Sequence, residues 1–356
     1  MNQEGLTRRG FLSSIAGAGG AALMPGILLG EVQDSKSGTP GMVATANVVA
    51  EKVALKARPF DLQDVRLLPG YWMDMMELNR SFLYSLPNER LVHNFRVTAG
   101  LSSDAAPLGG WEAPDCELRG HYVGHYLSAC ALMDASFGDP ALRDKANALV
   151  TMLAECQQKD GYLGAYSTTF YDRLRAGEKV WAPFYTYHKI MAGLIDMYQY
   201  CGNQRALTMA TRMADWADAW SRSLDEEHWQ KILLVEQGGM NETSFNLYGI
   251  TGKTKYRDLG YRFEHKKIFD PLAAGEDKLE GNHANTNIPK IIGAARGYEL
   301  TGDERYDRIS RNFYKAVVDH QRIARAARAM GRSGTNRMRW RASLVRMQRS
   351  AAAVTT

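Results

Sequence analysis

The sequence predicts an all-α protein assembled from successive antiparallel helical hairpins. One short pattern recurs at residues 134–142, 198–207, 248–256 and 298–306: an apolar helix end, a glycine, a polar residue, then a new apolar run. The glycines are Gly138, Gly202, Gly252 and Gly302, the last three spaced 50 residues apart. Glycine suits the left-handed position just past a helix end, and the polar residues that follow (Asp139, Asn203, Lys253, Asp303) begin the next helix. The second observation is the period. Leu207, Ala210, Met213, Ala214 and Ala217 fall on one helix face with Trp216 and Trp220 beside it, and Ile291, Ile292, Ala295 and Leu300 share another. The third is that alternating, strand-like runs are scarce. Such hairpins stack into an open solenoid or close into an α/α toroid, and the period allows both. About nine or ten helices are legible in this way.

Taken in chain order, residues 1–30 read as a twin-arginine export signal: Arg8-Arg9, then Phe11-Leu12, then a weakly apolar Gly/Ala-rich run. That run is too short and glycine-rich for a stable membrane span, so the expected location is periplasmic or secreted. Residues 31–50 have no helical period and read as a linker. Residues 51–320 carry the hairpins. The four cysteines, Cys116, Cys130, Cys156 and Cys201, form no CxxC pair, and Cys130 and Cys156 lie in apolar helical patterns as buried thiols.

Polar clusters punctuate the starts of helices in the body. In residues 109–129, His121 and His125 are four apart and share a helix face, with Trp111 and Glu112 in the loop before them. The HxxxH spacing lacks the glutamate of a zinc-protease HExxH motif and an assigned third ligand, so a polar pocket wall or ordinary core histidines are the competing readings. Residues 160–166 form a turn with two tyrosines. Residues 180–194 gather Trp181, Phe184, Tyr185, Tyr187 and His188 at a helix start. Residues 238–248 place Asn241 and Glu242 at another, and 279–290 place His283, Asn285, Thr286 and Asn287 before a third. Singly, each is explained as a helix cap. Together they put aromatic and His/Asn/Glu groups at one end of every hairpin. A toroid would gather those ends around a funnel suited to a sugar, whose C–H faces stack on rings and whose hydroxyls need donors and acceptors.

These segments, PFDLQDVRLLPG, LVHNFRVTAGL, GGWEAPDCELRGHYVGHYLSA, QQKDGYLGAY, YTYHKIMAGLIDMY, GGMNETSFNLYGITG and NHANTNIPKIIGAARGYELTGD, resemble glycoside hydrolase family 127, the β-L-arabinofuranosidases. The resemblance spans roughly residues 58–320. It implies an (α/α)6 toroid, incomplete at its C-terminal end in this chain, and action on terminal L-arabinofuranosyl or related sugars of plant-type glycans. It carries sugar contacts to His188 and His283, and leaves Glu242, Asn241, His121, His125 and Trp111 as further binding candidates. It also implies a zinc-bound cysteine nucleophile, a glutamate acid/base, and zinc held by a second glutamate and three cysteines, all from segments beyond the position of His320. The 36 residues after His320 contain no Cys, Asp, Glu or His. The expectation is therefore no catalytic or metal-ligating residue in this chain, zinc being the cofactor of an intact relative, and a glycosidase whose zinc–cysteine segment is missing. The alternative is a non-catalytic carbohydrate-binding toroid.

Residues 321–356 form an arginine-rich tail outside the resemblance. Its nine arginines, Arg322 to Arg349, account for the net charge of +5: without them 35 basic side chains face 39 acidic ones, a net charge of −4. A mildly acidic body argues against nucleic acid as partner, and the oligosaccharide partner is what the helix-end clusters and the resemblance imply. Oligomeric state is not legible in the sequence.

Overall fold

The computed structural model describes residues 47–57 and 59–321. The export signal, the linker up to residue 46 and the arginine-rich tail from residue 322 lie outside the described residues. Among the described residues there are thirteen α-helices and no strand. They are α1 (Tyr71–Ser85), α2 (Asn88–Thr98), α3 (His121–Phe137), α4 (Pro140–Cys156), α5 (Thr169–Arg175), α6 (Pro183–Cys201), α7 (Gln204–Ser221), α8 (Glu226–Ile232), α9 (Met240–Thr251), α10 (Thr254–Arg262), α11 (Lys266–Ala273), α12 (Ala284–Thr301) and α13 (Glu304–Lys315). Periodicity predicted fewer, because α5, α8 and α11 run for only seven or eight residues. Two turns are too few to display an amphipathic period.

The four glycine turns form as expected. Gly138, Gly202, Gly252 and Gly302 take φ of +65°, +67°, +70° and +75°, the left-handed conformation that ends a helix. Asp139, Asn203 and Asp303 then cap the following helices, accepting from the backbone N–H of Leu142, Ala206 and Arg305. Each turn reverses the chain, so α3, α6, α9 and α12 run parallel to one another. They form an inner row, α3 packing on α6, α6 on α9, and α9 on α12, with α4, α7, α10 and α13 as their antiparallel outer partners. This is the α/α toroid arrangement. No described helix is long and apolar enough to cross a membrane.

Glycine sets the spacing of the inner row. A Cβ on Gly124 of α3 would stand 1.9 Å from the Lys189 carbonyl oxygen of α6, and one on Gly193 would stand 2.5 Å from the Gly124 carbonyl. The two helices therefore cross backbone to backbone. Glycine also corrects the face expected of α12. Ile291, Ala294, Gly297 and Leu300 are buried, while Ile292 is 49% exposed. The helix turns Gly293 and Gly297 toward Asn241 and Tyr306, at distances no larger residue permits, and this rotates Ile292 outward. Between the inner and outer rows, Tyr162, Tyr171, Tyr187 and Trp216 are buried in mutual ring contact, Tyr171 and Trp216 at 4.8 Å. Their hydroxyls donate to backbone carbonyls of Tyr166, Pro183 and Met213. Burial of these large rings, with every hydroxyl paired, stabilises the hairpin stack.

Residues 47–52 dock on the far, C-terminal end of the inner row. The N–H of Val49 donates to the Gly249 carbonyl at 3.0 Å, that of Lys52 to the Glu299 carbonyl at 2.8 Å, and Glu51 pairs with Arg296 at 3.2 Å. Helix α1 leaves Tyr71, Trp72, Leu78 and Phe82 exposed.

Candidate functional site

Because the inner helices are parallel, their N-termini meet at one end, and the polar clusters of the sequence meet with them. Glu112 organises the first. Its carboxylate accepts from the N–H of Gly120 at 2.6 Å and of Tyr122 at 2.9 Å, satisfying free donors in the first turn of α3. The same carboxylate lies 2.7 Å from Nδ1 of the buried His121, which also meets the Leu118 carbonyl at 2.9 Å. Two acceptors at Nδ1 place the imidazole proton there. The His121 ring is thereby fixed, with its face near Trp111 (6.1 Å), His125 (5.8 Å) and Tyr185 of α6 (6.3 Å).

Helix α6 supplies Tyr185, His188, Lys189 and, two turns deeper, Asp196. His188 is 3% exposed, and its Nδ1 has no hydrogen-bond partner among the described residues. Burial, followed by the charge of Lys189, holds this imidazole well below its usual pKa, so it is neutral. His125 reaches solvent in the lumen but is walled by protein. Desolvation, then Lys189 and His121, lowers it to about 4. Lys189 sits 5.1 Å from the Tyr185 ring centre, with its pKa lowered by burial and partly restored by Glu242 and Glu236. Asp196 is raised to about 6 by burial, against a hydrogen bond from Ser128.

Helix α9 brings Glu242 opposite these groups. Its carboxyl is raised to about 7, first by burial and then by Asp196, with Lys189 opposing. Oε2 of Glu242 lies 3.9 Å from Nε2 of His188. That is beyond hydrogen-bond range and is a separation one hydroxyl group bridges. Gly238 and Gly239 make this approach possible, since a Cβ on Gly238 would fall 2.6 Å from His188 Nδ1 and one on Gly239 2.9 Å from both His188 Nε2 and Glu242 Oε2. From α12, Asn285 hydrogen-bonds Tyr185 and Thr286 donates to Glu236, closing the ring of contacts.

The sequence-derived candidates thus divide. Trp111, His121, His125, His188 and Glu242 lie together at the N-terminal end of the inner row, with Trp111 and His125 exposed and His121 and His188 buried, and this polar end is the candidate cleft. His283 is the N-cap residue of α12 at the same end, half-buried. Asn241 is buried beneath the cleft, its amide donating to the Lys290 carbonyl at 2.8 Å, and so links α9 to α12. Lys290 below it is buried against Nδ1 of His265 at 2.9 Å and lowered to about 7 by that burial. Residues missed by sequence reasoning are Lys189, Asp196 and Glu236. Their only signal was adjacency: Lys189 follows His188, Asp196 lies two helical turns on, and Glu236 precedes the Gly-Gly pair.

Chemically, the cleft offers neutral imidazoles, a carboxyl that titrates at about 7, an ammonium group and aromatic faces. This set hydrogen-bonds a polyol in both directions. No group of three or more His, Cys, Asp or Glu among the described residues is arranged to hold a metal ion. The thiols of Cys130, Cys156 and Cys201 are pushed by burial to about 12, 11 and 12. With no such donor cluster, the described residues do not fit a zinc–thiolate centre.

Comparison with known proteins identifies the family and the fold. Residues 64–325 match the profile described as beta-L-arabinofuranosidase, GH127 catalytic domain. Among solved structures, Ara127N-Se, a GH127 beta-L-arabinofuranosidase from Geobacillus stearothermophilus T6, is similar over 76% of this chain and 48% of its own, at 19% identity and a TM-score of 0.55. The GH127 beta-arabinofuranosidase BT3674 is similar over 73% of this chain and 43% of its own, at 18% identity and a TM-score of 0.50. At such identities the likeness is one of fold, and the chain spans less than half the length of either structure. No curated protein matches the sequence.

Proposed function

This chain belongs to glycoside hydrolase family 127, and on that premise we propose that its cleft binds the terminal L-arabinofuranosyl unit, or a related sugar, of plant-type glycans. The observation that carries this is the His188–Glu242 gap. A buried neutral imidazole and a carboxyl raised to about 7 lie 3.9 Å apart, near enough for one sugar hydroxyl beside them to hydrogen-bond both. His188 accepts from or donates to that hydroxyl, and protonated Glu242 donates to it. His121, held by Glu112, presents its free nitrogen to the cleft. Trp111 and Tyr185 offer faces to the sugar's C–H groups. His283, at the N-terminus of α12, flanks the same opening.

Hydrolysis in this family's manner requires a zinc-held thiolate, which the described residues do not supply, so no step is assigned to one. A second reading, carbohydrate binding without hydrolysis, uses the same imidazole, carboxyl and aromatic contacts and needs no thiolate. Calorimetry of the full chain with methyl β-L-arabinofuranoside is expected to show saturable binding that His188→Ala abolishes. A flat titration with wild type rejects the sugar cleft. In a parallel assay, release of the aryl group from an aryl β-L-arabinofuranoside at stoichiometric zinc rejects the binding-only reading.

A further inference from the structure

We propose that Trp181 is a stacking platform for the second sugar of the glycan, the unit next to the terminal one. The inference rests on the sugar reading of the cleft and extends it outward. Trp181 is 44% exposed at the start of α6, four residues before Tyr185, which lines the cleft. Its ring makes no ring–ring contact among the described residues. The backbone is fastened while part of the ring reaches solvent.

The fastening is specific. The Trp181 N–H donates to Glu117 Oε2 at 2.8 Å, and Glu117 Oε1 is held by Arg173 at 3.2 Å. Arg173 in turn binds Glu178 at 3.2 Å and the Lys179 carbonyl at 2.9 Å, so the loop before Trp181 is tied along its length. The next residue, Ala182, is the one described non-glycine residue with positive φ, at +49°. An L-residue resists this conformation, and all the more so before a proline. The strain is held in place from both sides. Ala182 is buried against Leu118 and Tyr185, and the Pro183 carbonyl accepts from Tyr166 at 3.0 Å and Tyr171 at 3.2 Å. Strain maintained by so many contacts marks a position whose geometry is in use. Here Trp181 is 44% exposed, while Tyr185, four residues on, is buried.

The loop that carries Trp111 and Glu112 also carries Glu117. One segment therefore holds both the His121 ring, through Glu112, and the Trp181 backbone, through Glu117. A glycan whose terminal unit occupies the cleft continues outward past its edge. A rigid indole face there matches the C–H face of the next sugar ring, at no further cost in loop ordering.

The test compares methyl β-L-arabinofuranoside with a β-L-arabinofuranosyl disaccharide by calorimetry, using the full chain and its Trp181→Ala and Trp181→Phe variants. Wild type is expected to bind the disaccharide about three- to tenfold more tightly than the monosaccharide. Trp181→Ala should erase that advantage and leave monosaccharide affinity and thermal midpoint unchanged, while Trp181→Phe retains most of it. A disaccharide advantage that survives Trp181→Ala overturns the platform and leaves the sugar cleft standing. Failure of wild type to bind either ligand overturns both.

Discussion

Replacing Gly124 with alanine tests whether the α3–α6 crossing is set by backbone contact. The added Cβ would lie 1.9 Å from the Lys189 carbonyl oxygen, 2.2 Å from its carbon and 2.7 Å from the Ile190 nitrogen. An ordinary carbon–oxygen contact needs about 3.4 Å, so the helices must part by about 1.5 Å where they cross. The obstacles are backbone atoms of a buried helix, with no side-chain end free to swing away. The cost is therefore at the upper end for overpacking, about 3 kcal/mol. The better helix propensity of alanine returns about 0.8–1 kcal/mol, leaving a net loss of about 2 kcal/mol. For a domain of this size that lowers the thermal midpoint by about 4–8 °C, read by circular dichroism. Gly109→Ala is the matched control, since Gly109 has φ of −99° and nothing within 4 Å of its Cβ position. It should change stability by no more than about 0.5 kcal/mol. Equal midpoints for Gly124→Ala and wild type, or equal losses in the two variants, would refute the reasoning.

Two other perturbations follow from the polar groups. Glu242 is raised from 4.5 to about 7 in the folded protein. Its linked stability is therefore present below about pH 4.5 and lost as pH rises through about 7. Glu242→Gln cannot ionise, so its stability relative to wild type should grow by about 3 kcal/mol between pH 4.5 and 8 in urea unfolding; a difference independent of pH would count against the buried carboxyl. Asp139 accepts from the Arg80 guanidinium at 2.6 Å, the Tyr84 hydroxyl at 2.6 Å and the Leu142 N–H at 3.1 Å. Asp139→Ala should cost about 2–3 kcal/mol, with Asp139→Asn between it and wild type because the cap survives the loss of charge. A loss below about 0.5 kcal/mol would show that these bonds add nothing beyond solvation.

What the sequence determined by itself is the local grammar of this protein. Glycine at positions 138, 202, 252 and 302 ends helices because a left-handed residue is needed there, and at three of the four turns (Asp139, Asn203 and Asp303) the polar residue after it caps the next helix by bonds within one turn. Such information is contained in a few adjacent residues, so it survives without the fold. The polar clusters at helix starts were visible for the same reason, and the resemblance of the blocks named the family. The tertiary structure decided everything that depends on which face meets which neighbour. It rotated Ile292 outward, because Gly293 and Gly297 admit closer contact than an isoleucine pair. It committed Asn241 to the Lys290 carbonyl beneath the cleft. It set Glu242 against His188 and buried it beside Asp196, residues distant in sequence, and burial and that carboxylate raise its pKa to about 7. A side chain's type is written in the sequence, but its charge state and its partner are properties of the space that distant segments enclose.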